Sequence, residues 1–215
     1  MSEESLLREE ICVLGKSLFD RGLTHGSTGN LSARLSDGTF LVTPTGHALG
    51  RLDPAMIARI DETGALLSGE APTKEVPLHQ AFYETRNGTG AVAHLHSCYS
   101  VALSLMPDLD PEDMLPPLTA YGIMLLGRVK LLPFFLPGDP AIGDAIRGLA
   151  GKRSAIMLAH HGPVVAGRNI GTAVNAIEEL EASAKLALLT RHAAPMMLSA
   201  EQIGAIVRKF DVDMG

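Results

Sequence analysis

The alternation of apolar and polar positions along the chain predicts several helices separated by short strands. Leu7, Ile11, Leu14 and Leu18 recur at helical spacing and form one apolar stripe on the first helix. Ser199 with Gln202 three positions later is a capping box that predicts the start of the last helix. Helices are predicted over about residues 3–21, 75 or 76 to 86, 97–105, from 140 onward, 169–192 and 199–209.

Short apolar runs bounded by turn residues predict the strands. The runs 31–35 and 39–43 flank Asp37-Gly38, a dipeptide typical of hairpin turns. Further strands are predicted over residues 57–60, 65–67, 91–96, 129–132, 154–158 and 164–166. Short strands mixed with several helices indicate an α/β domain in which helices cover both faces of a sheet.

The run 91–96 ends in two histidines separated by one residue, His94 and His96. Residues two apart on a strand point to the same face, whereas on a helix they would diverge by roughly 200°. As a strand, the run places both imidazoles on one side, as two ligands of a metal ion require. The alternative is two polar residues at an ordinary strand-to-helix junction.

A second histidine pair, His160-His161, ends the predicted strand 154–158. If the two strand ends converge at one rim of the sheet, His94, His96 and either His160 or His161 supply three imidazoles. Three protein ligands with an open fourth position are typical of a catalytic zinc site. Two histidine pairs in the same strand context therefore favour a metal site over chance.

Glu75 stands at the start of a predicted helix. There it is either a first-turn acid favoured by the helix dipole or an acid/base group beside the metal. Loops rich in glycine and hydroxyl residues at 24–32 and 43–46, together with Thr73-Lys74, are able to bind an anion, although each is also typical of an ordinary turn or surface segment. These residues together predict a metal-dependent enzyme acting on a phosphorylated or carboxylated substrate.

Composition narrows the function classes. The chain has 215 residues, 46% of them hydrophobic, which is enough for one domain spanning residues 1–215. A formal net charge of -6 argues against a nucleic-acid partner, and no apolar run reaches membrane-spanning length. The acidic N-terminus lacks the pattern of a signal peptide, and Cys12 and Cys98 form no close-spaced motif. A reduced, cytoplasmic protein is therefore expected.

Five short motifs, in order along nearly the whole chain, resemble those of the class II aldolase/adducin-head family. Each motif is weak alone, whereas five in the family's order are specific. They are Gly29-Asn30, Thr43-Pro44-Thr45-Gly46, Pro72-Thr73-Lys74-Glu75, His94-Leu95-His96 and His161-Gly162. The resemblance implies a three-layer α/β/α sandwich around a mixed, largely antiparallel central sheet. It also implies a homotetramer with active sites between subunits.

The resemblance also implies roles for individual residues. His94, His96 and His161 are the implied metal ligands. In the second pair the family motif corresponds to His161 and not His160, because His161 directly precedes the glycine. Glu75 is the implied acid/base and a further metal ligand when no substrate is bound. Zn²⁺ is the expected metal, with Mn²⁺ or Co²⁺ as alternatives.

Two further groups of residues follow from the same resemblance. Tyr121 is similar to a tyrosine that donates a proton across a subunit interface. The implied phosphate site consists of Ser27, Asn30, Thr45, Gly46, Thr73 and Lys74. Aldolases of the family often have a second serine where this chain has Lys74, and an ammonium group there adds positive charge for a phosphate or carboxylate.

Within the family, the chain is most similar to the branch that decarboxylates 3-oxo-tetronate 4-phosphate to dihydroxyacetone phosphate and CO₂. Segments that carry this similarity include residues 68–76, 94–97, 137–139 and 161–167. The metal is expected to act as a Lewis acid, while Glu75 or Tyr121 manages protonation. The alternatives are a sugar-phosphate aldolase or epimerase of the same family and a non-catalytic, adducin-like interaction module.

Overall fold

The computed structural model describes residues 1–215 and contains seven α-helices and eight strands. The helices are α1 (Glu3–Asp20), α2 (Val76–Thr85), α3 (Cys98–Ser104), α4 (Ala120–Leu126), α5 (Ala141–Gly148), α6 (Ile170–Thr190) and α7 (Ala200–Phe210). The strands are β1 (Asn30–Arg34), β2 (Phe40–Val42), β3 (Ala58–Ile60), β4 (Leu66–Ser68), β5 (Ala91–His94), β6 (Val129–Leu132), β7 (Ala155–Leu158) and β8 (Gly162–Gly167). A single 3₁₀ turn covers Leu49–Arg51. None of the helices combines the length and apolar character needed to cross a bilayer.

All eight strands form one sheet in the order β4-β3-β2-β1-β5-β8-β7-β6. Every neighbouring pair is antiparallel except β6 and β7, which run parallel. At the centre, Asn30 of β1 lies opposite His94 of β5, and His94 lies opposite Val164 of β8. The sheet order therefore joins strands that are far apart in sequence and gathers polar side chains at one rim.

The two faces of the sheet pack against separate helical layers. One apolar cluster includes Leu31, Ala93 and Val165 from the sheet and packs against α1, α3 and α6. The other includes Val92 and Val164 from the opposite face and packs against α2 and α5. This alternation along β5 and β8 follows from the two-residue period of a strand. The predicted α/β/α sandwich with a largely antiparallel sheet is confirmed.

Most predicted elements are present, and their caps match the expected residues. Ser199 and Gln202 form the predicted capping box at α7, and Asn169 caps α6. Helix α4 was not predicted, because its seven residues carry too little periodicity to separate them from the preceding proline-rich loop. The Thr119 side chain accepts a hydrogen bond from the backbone N–H of Gly122 at 3.0 Å, so a local cap defines where α4 begins.

Candidate metal centre and active site

Glu75, His94, His96 and His161 meet at one rim of the sheet. Each offers one ligand atom, and these atoms all lie within 4.8 Å of one another. The three imidazole ring centroids are 4.7 to 4.9 Å apart. Glu75 Oε2 lies 3.4 Å from His94 Nε2, and Glu75 Oε1 lies 3.3 Å from His161 Nε2. The residues that the sequence proposed as ligands therefore lie together.

The ends of β5 and β7 supply the three histidines. His94 is the last residue of β5, and His96 follows two positions later, before α3 begins. His161 lies in the tight connection from β7 to β8, directly before Gly162. A Cβ atom at Gly162 would lie 2.0 Å from the carbonyl oxygen of Leu95, so only glycine allows the two chain segments to approach this closely.

His160 and His161 have different surroundings although they are adjacent. His160 adopts a left-handed backbone conformation with φ of 61°. Its ring packs edge-to-face against Phe134 with centroids 6.2 Å apart, and its backbone N–H donates to Ser104 Oγ at 3.3 Å. The left-handed residue turns the chain so that His161, and not His160, faces Glu75.

The unpaired atoms of the cluster fit a bound cation. Glu75 Oε1, His94 Nε2 and both ring nitrogens of His161 are buried without a hydrogen-bond partner. Buried polar atoms are nearly always paired in folded proteins, so orphans facing one another indicate a ligand. His94 Nδ1–H donates to the carbonyl oxygen of Pro163 at 2.9 Å, which leaves the Nε2 lone pair directed at the cluster. This donor set suits a divalent metal ion.

The protonation states in the cluster also suit a cation. Burial, with repulsion from His94, lowers the pKa of His96 to about 3 and that of His161 to about 4. Burial acts to raise the pKa of Glu75, but His94, the Asn30 hydrogen bond and His161 outweigh it and hold that pKa below its usual value. At neutral pH His96 and His161 are neutral and the Glu75 carboxylate is ionised, which are the forms that bind metal.

A buried polar chain supports Glu75 from behind. Asn30 Nδ2 donates to Glu75 Oε2 at 2.7 Å, and Asn30 Oδ1 lies 2.5 Å from His79 Nε2. His79 Nδ1 is 2.7 Å from Ser32 Oγ, which is 2.8 Å from the Tyr83 hydroxyl. Burial lowers the pKa of His79 to about 3, so its imidazole is neutral.

His79 lies on α2 and outside the ligand cluster. Ser32 and Tyr83 were not identified as site residues. A sequence signal for them does exist. Asn30 and Ser32 share one face of a strand, while Glu75, directly before α2, and His79 and Tyr83 on α2 recur at four-residue spacing.

The proposed phosphate residues lie in loops at the same end of the sheet. Thr45 N–H donates to Ala71 O at 3.0 Å, and Thr73 N–H donates to Thr43 O at 3.1 Å, so the segments 43–46 and 71–74 run side by side. Lys74, Thr45 and Gly46 are exposed, and Lys74 directly precedes Glu75. The paired loops thus carry an exposed lysine and the hydroxyls of Thr45 and Thr73, and they lead directly into Glu75.

Three predicted residues stand apart from that pair of loops. Ser27 is exposed in the loop before β1, and the glycine two positions later packs against the end of β5, where a Cβ atom would lie 3.0 Å from His94 O. Asn30 directs its amide toward Glu75 and His79, as described above. Tyr121 lies on α4 and is 63% exposed. The fold therefore brings together the ligand residues but leaves Tyr121 on the surface of this chain.

Comparison with known proteins shows which family and which relatives this chain resembles. The sequence model of the class II aldolase and adducin N-terminal domain family matches residues 9–188 of this chain. The 3-oxo-tetronate 4-phosphate decarboxylase of Cupriavidus necator is 47% identical over 86% of this chain and 85% of its own length. The L-fuculose phosphate aldolase of Haemophilus influenzae is 31% identical over 88% of this chain and 86% of its own length.

A solved structure shows the same architecture. The crystal structure of YgbL from Escherichia coli, described as an aldolase, epimerase or decarboxylase, superposes with a TM-score of 0.93 at 41% identity. The match covers 95% of this chain and 99% of that one. The similarity therefore extends over the sheet, both helical layers and the rim that carries the histidines.

Proposed function

The chain belongs to the class II aldolase and adducin N-terminal domain family, and we propose that it decarboxylates 3-oxo-tetronate 4-phosphate to dihydroxyacetone phosphate and CO₂, as a step in sugar-acid catabolism. The observation that carries this proposal is the cluster of Glu75 and three histidines, with its unpaired buried atoms. The 47% identity to a decarboxylase of that name selects the reaction, since a named aldolase relative is 31% identical.

The cluster is assigned to a divalent cation, Zn²⁺ first, with Mn²⁺ or Co²⁺ as alternatives. His94, His96 and His161 would hold it through neutral nitrogens, and Glu75 through Oε1 in the resting enzyme. Imidazole suits several first-row metals, and a site with three histidines and one exchangeable position is typical of catalytic zinc. Once bound, the cation supplies Lewis-acid stabilisation for the negative charge that develops as CO₂ leaves.

Glu75 is proposed to manage the proton of the reaction. Loss of CO₂ breaks the bond between C1 and C2 and leaves an electron pair that C2 shares with the neighbouring 3-oxo group. C2 must then gain a proton to give dihydroxyacetone phosphate. Asn30 holds Glu75 Oε2, so Oε1 is the oxygen free to carry a proton to the substrate.

Tyr121 is the second proposed proton donor, acting in the site of a neighbouring subunit. Its 63% exposure on α4 leaves the phenol free for such a contact. This assignment depends on a homotetramer with active sites between subunits, which is proposed from the family resemblance. A Tyr121→Phe variant that mixes with Glu75→Gln chains to regain activity would support a shared site.

The phosphate is proposed to bind where the exposed loops meet. Lys74 supplies positive charge, while Thr45, Gly46 and Thr73 supply hydroxyl and backbone donors. Ser27 and Asn30 complete the proposed set. The substrate is thus a small phosphorylated sugar acid. No nucleic-acid or membrane partner is proposed, and the proposed compartment is the cytoplasm, since Cys12 and Cys98 are free thiols.

The direct test uses purified protein with its metal content quantified. The protein is incubated with 3-oxo-tetronate 4-phosphate, and CO₂ and dihydroxyacetone phosphate are both measured, beside a Glu75→Gln variant. Stoichiometric release of both products, lost on chelation and in the variant, is the expected result. Bound metal with aldehyde products instead of CO₂ would favour a sugar-phosphate aldolase, and a metal-free inactive protein would favour an adducin-like interaction module.

A further inference from the structure

Four side chains behind Glu75 form an unbroken, buried chain of hydrogen bonds. Asn30, Ser32, His79 and Tyr83 are 5%, 0%, 1% and 8% exposed, so water does not compete for these bonds. The links run from Tyr83 through Ser32, His79 and Asn30 to Glu75 Oε2, with separations of 2.5 to 2.8 Å. Only Asn30 at its inner end touches the proposed catalytic carboxylate.

The ionised Glu75 carboxylate determines the donor and the acceptor of every hydrogen bond in this chain. A carboxylate only accepts, so Asn30 must present its NH₂ group to Glu75 and its carbonyl oxygen to His79. His79 Nε2 must then carry the proton, and Nδ1 must accept from the Ser32 hydroxyl. Ser32 in turn accepts from the Tyr83 hydroxyl. Each residue thus specifies the orientation of the next.

We propose that His79 is a positioning residue for this active site. As an Nε2–H donor it fixes the orientation of the Asn30 amide, which pins Glu75 Oε2 and leaves Oε1, beside His161, as the carboxylate oxygen without a hydrogen-bond partner. Asn30 has no group that readily takes up and releases a proton. The chain of hydrogen bonds therefore orients Glu75 and does not conduct protons to it. The inference rests on the proposed function, in which Oε1 is the working oxygen.

The packing around the outer end explains why the orientation is held. The Tyr83 ring lies 4.5 Å from that of Phe40, centroid to centroid, and the Arg34 guanidinium lies 5.0 Å from the Tyr83 ring centroid. Arg34 also donates to the backbone oxygen of Tyr83 at 3.2 Å. These contacts restrict the movement of Tyr83, which therefore anchors the outer end of the chain of hydrogen bonds.

Three substitutions at His79 separate positioning from simple core packing. His79→Gln keeps an N–H donor near the position of Nε2, whereas His79→Asn keeps a polar group only near Ser32, and His79→Leu keeps neither. Supporting hydrogen bonds behind metal ligands are typically worth 10- to 100-fold in activity or metal affinity. We expect kcat to fall by about 10- to 100-fold in His79→Leu and His79→Asn with little change in KM, and to recover in His79→Gln.

A double-mutant cycle with Asn30 tests whether His79 acts through it. If it does, kcat of Asn30→Ala combined with His79→Leu will equal that of Asn30→Ala alone, because the same interaction is lost only once. Multiplying effects on kcat would overturn the proposal. So would an unchanged kcat in His79→Leu, or an equal loss in the Gln, Asn and Leu variants that follows thermal stability.

A measurement without substrate keeps this inference separate from the proposed reaction. In ¹⁵N-histidine-labelled, metal-free protein, the signal that disappears in His79→Gln should show the neutral tautomer with the proton on Nε2. The opposite tautomer would overturn the orientation. If that signal is as expected and the wild-type protein releases no CO₂ from 3-oxo-tetronate 4-phosphate, the reaction is wrong and the hydrogen-bond arrangement stands. Zn²⁺ affinity should then fall by about 10- to 100-fold in His79→Leu, and an unchanged affinity would overturn the positioning role.

Discussion

Glu75 and Glu181 are both largely enclosed by protein, yet their surroundings differ in kind. Glu181 of α6 is 6% exposed and accepts three hydrogen bonds, from Tyr99 N–H, Ser100 N–H and the Ser100 hydroxyl, each at 2.6 to 2.8 Å. Glu75 has an 11% exposed side chain and one hydrogen bond to Asn30, while its other oxygen faces histidines without a partner.

The difference separates a structural carboxylate from one available for chemistry. Both oxygens of Glu181 are satisfied by groups at the start of α3, so this carboxylate joins α6 to α3 and is favoured by the helix dipole. The Glu75 site leaves several polar atoms unsatisfied, which is unfavourable in the protein alone and becomes favourable when a cation binds. Incomplete pairing, more than burial, distinguishes the carboxylate that we propose as functional.

The largest expected effect is on activity at Glu75. Glu75→Gln removes the charge and the proton carrier with little change in shape, so we expect kcat to fall by about 10²- to 10⁴-fold. Steady-state release of CO₂ measures this effect, and circular dichroism checks that the variant is folded. Glu181→Gln is the matched control and should keep kcat near the wild-type value. Equal losses of kcat in the two variants would contradict the distinction.

Lowering the pH should destabilise the metal-free site through its histidines. The pKa values of His79, His96 and His161 are lowered to about 3, 3 and 4, against 6.5 for a free imidazole. Above pH 6.5 these residues are neutral in both states, so they add no pH dependence. Below it the unfolded chain takes up protons that the folded chain refuses, and stability falls until pH reaches the folded values.

Urea unfolding of metal-free protein at pH 7.5, 6.0 and 5.0 measures this loss. For the fully buried His79 the slope is about 1.4 kcal/mol per pH unit, and the partly solvated His96 and His161 contribute less. His79→Gln should reduce the slope by the share of one histidine. A stability that stays constant from pH 7.5 to 5.0 would mean that the histidines are protonated in the folded chain.

Glu181→Gln should reduce stability by a moderate amount. An amide presents NH₂ to groups that are themselves donors, so at least one bond is lost inside the protein, at a cost of about 1–3 kcal/mol. For a chain of this size that corresponds to a melting temperature lower by about 2–4 °C per kcal/mol. Differential scanning fluorimetry measures it. A variant as stable as wild type would show that the junction of α3 and α6 does not depend on this carboxylate.

The smallest effect is expected at His160, where the backbone conformation matters more than the imidazole. His160→Gly removes the steric cost of a left-handed residue but adds chain entropy in the unfolded state, so stability should change by less than about 1 kcal/mol. Metal content and kcat should be retained. His160→Val should destabilise more, because a β-branched residue is strained at φ of 61°. Loss of bound metal in His160→Gly would make the side chain itself a part of the site.

Much of the local architecture could be predicted from the sequence. Apolar periodicity located α1 and α6, and the spacing of His94 and His96 placed both imidazoles on one side, because these geometries depend on neighbouring residues alone. The seven-residue α4 escaped prediction, since its start depends on one cap and its pattern is short. From residue pattern alone, either His160 or His161 could have been the third ligand.

The sequence by itself determined the residue types of the site, the strands and helices that carry them and, through ordered motifs, the family. Only the tertiary structure decided that β1, β5 and β8 are neighbours, which sets Asn30 opposite His94 and turns His161 toward Glu75. It also joined His79 and Tyr83 of α2 to Asn30 and Ser32 of β1. Contacts between distant segments depend on sheet order and on how a helix packs across it, and local periodicity does not encode either one.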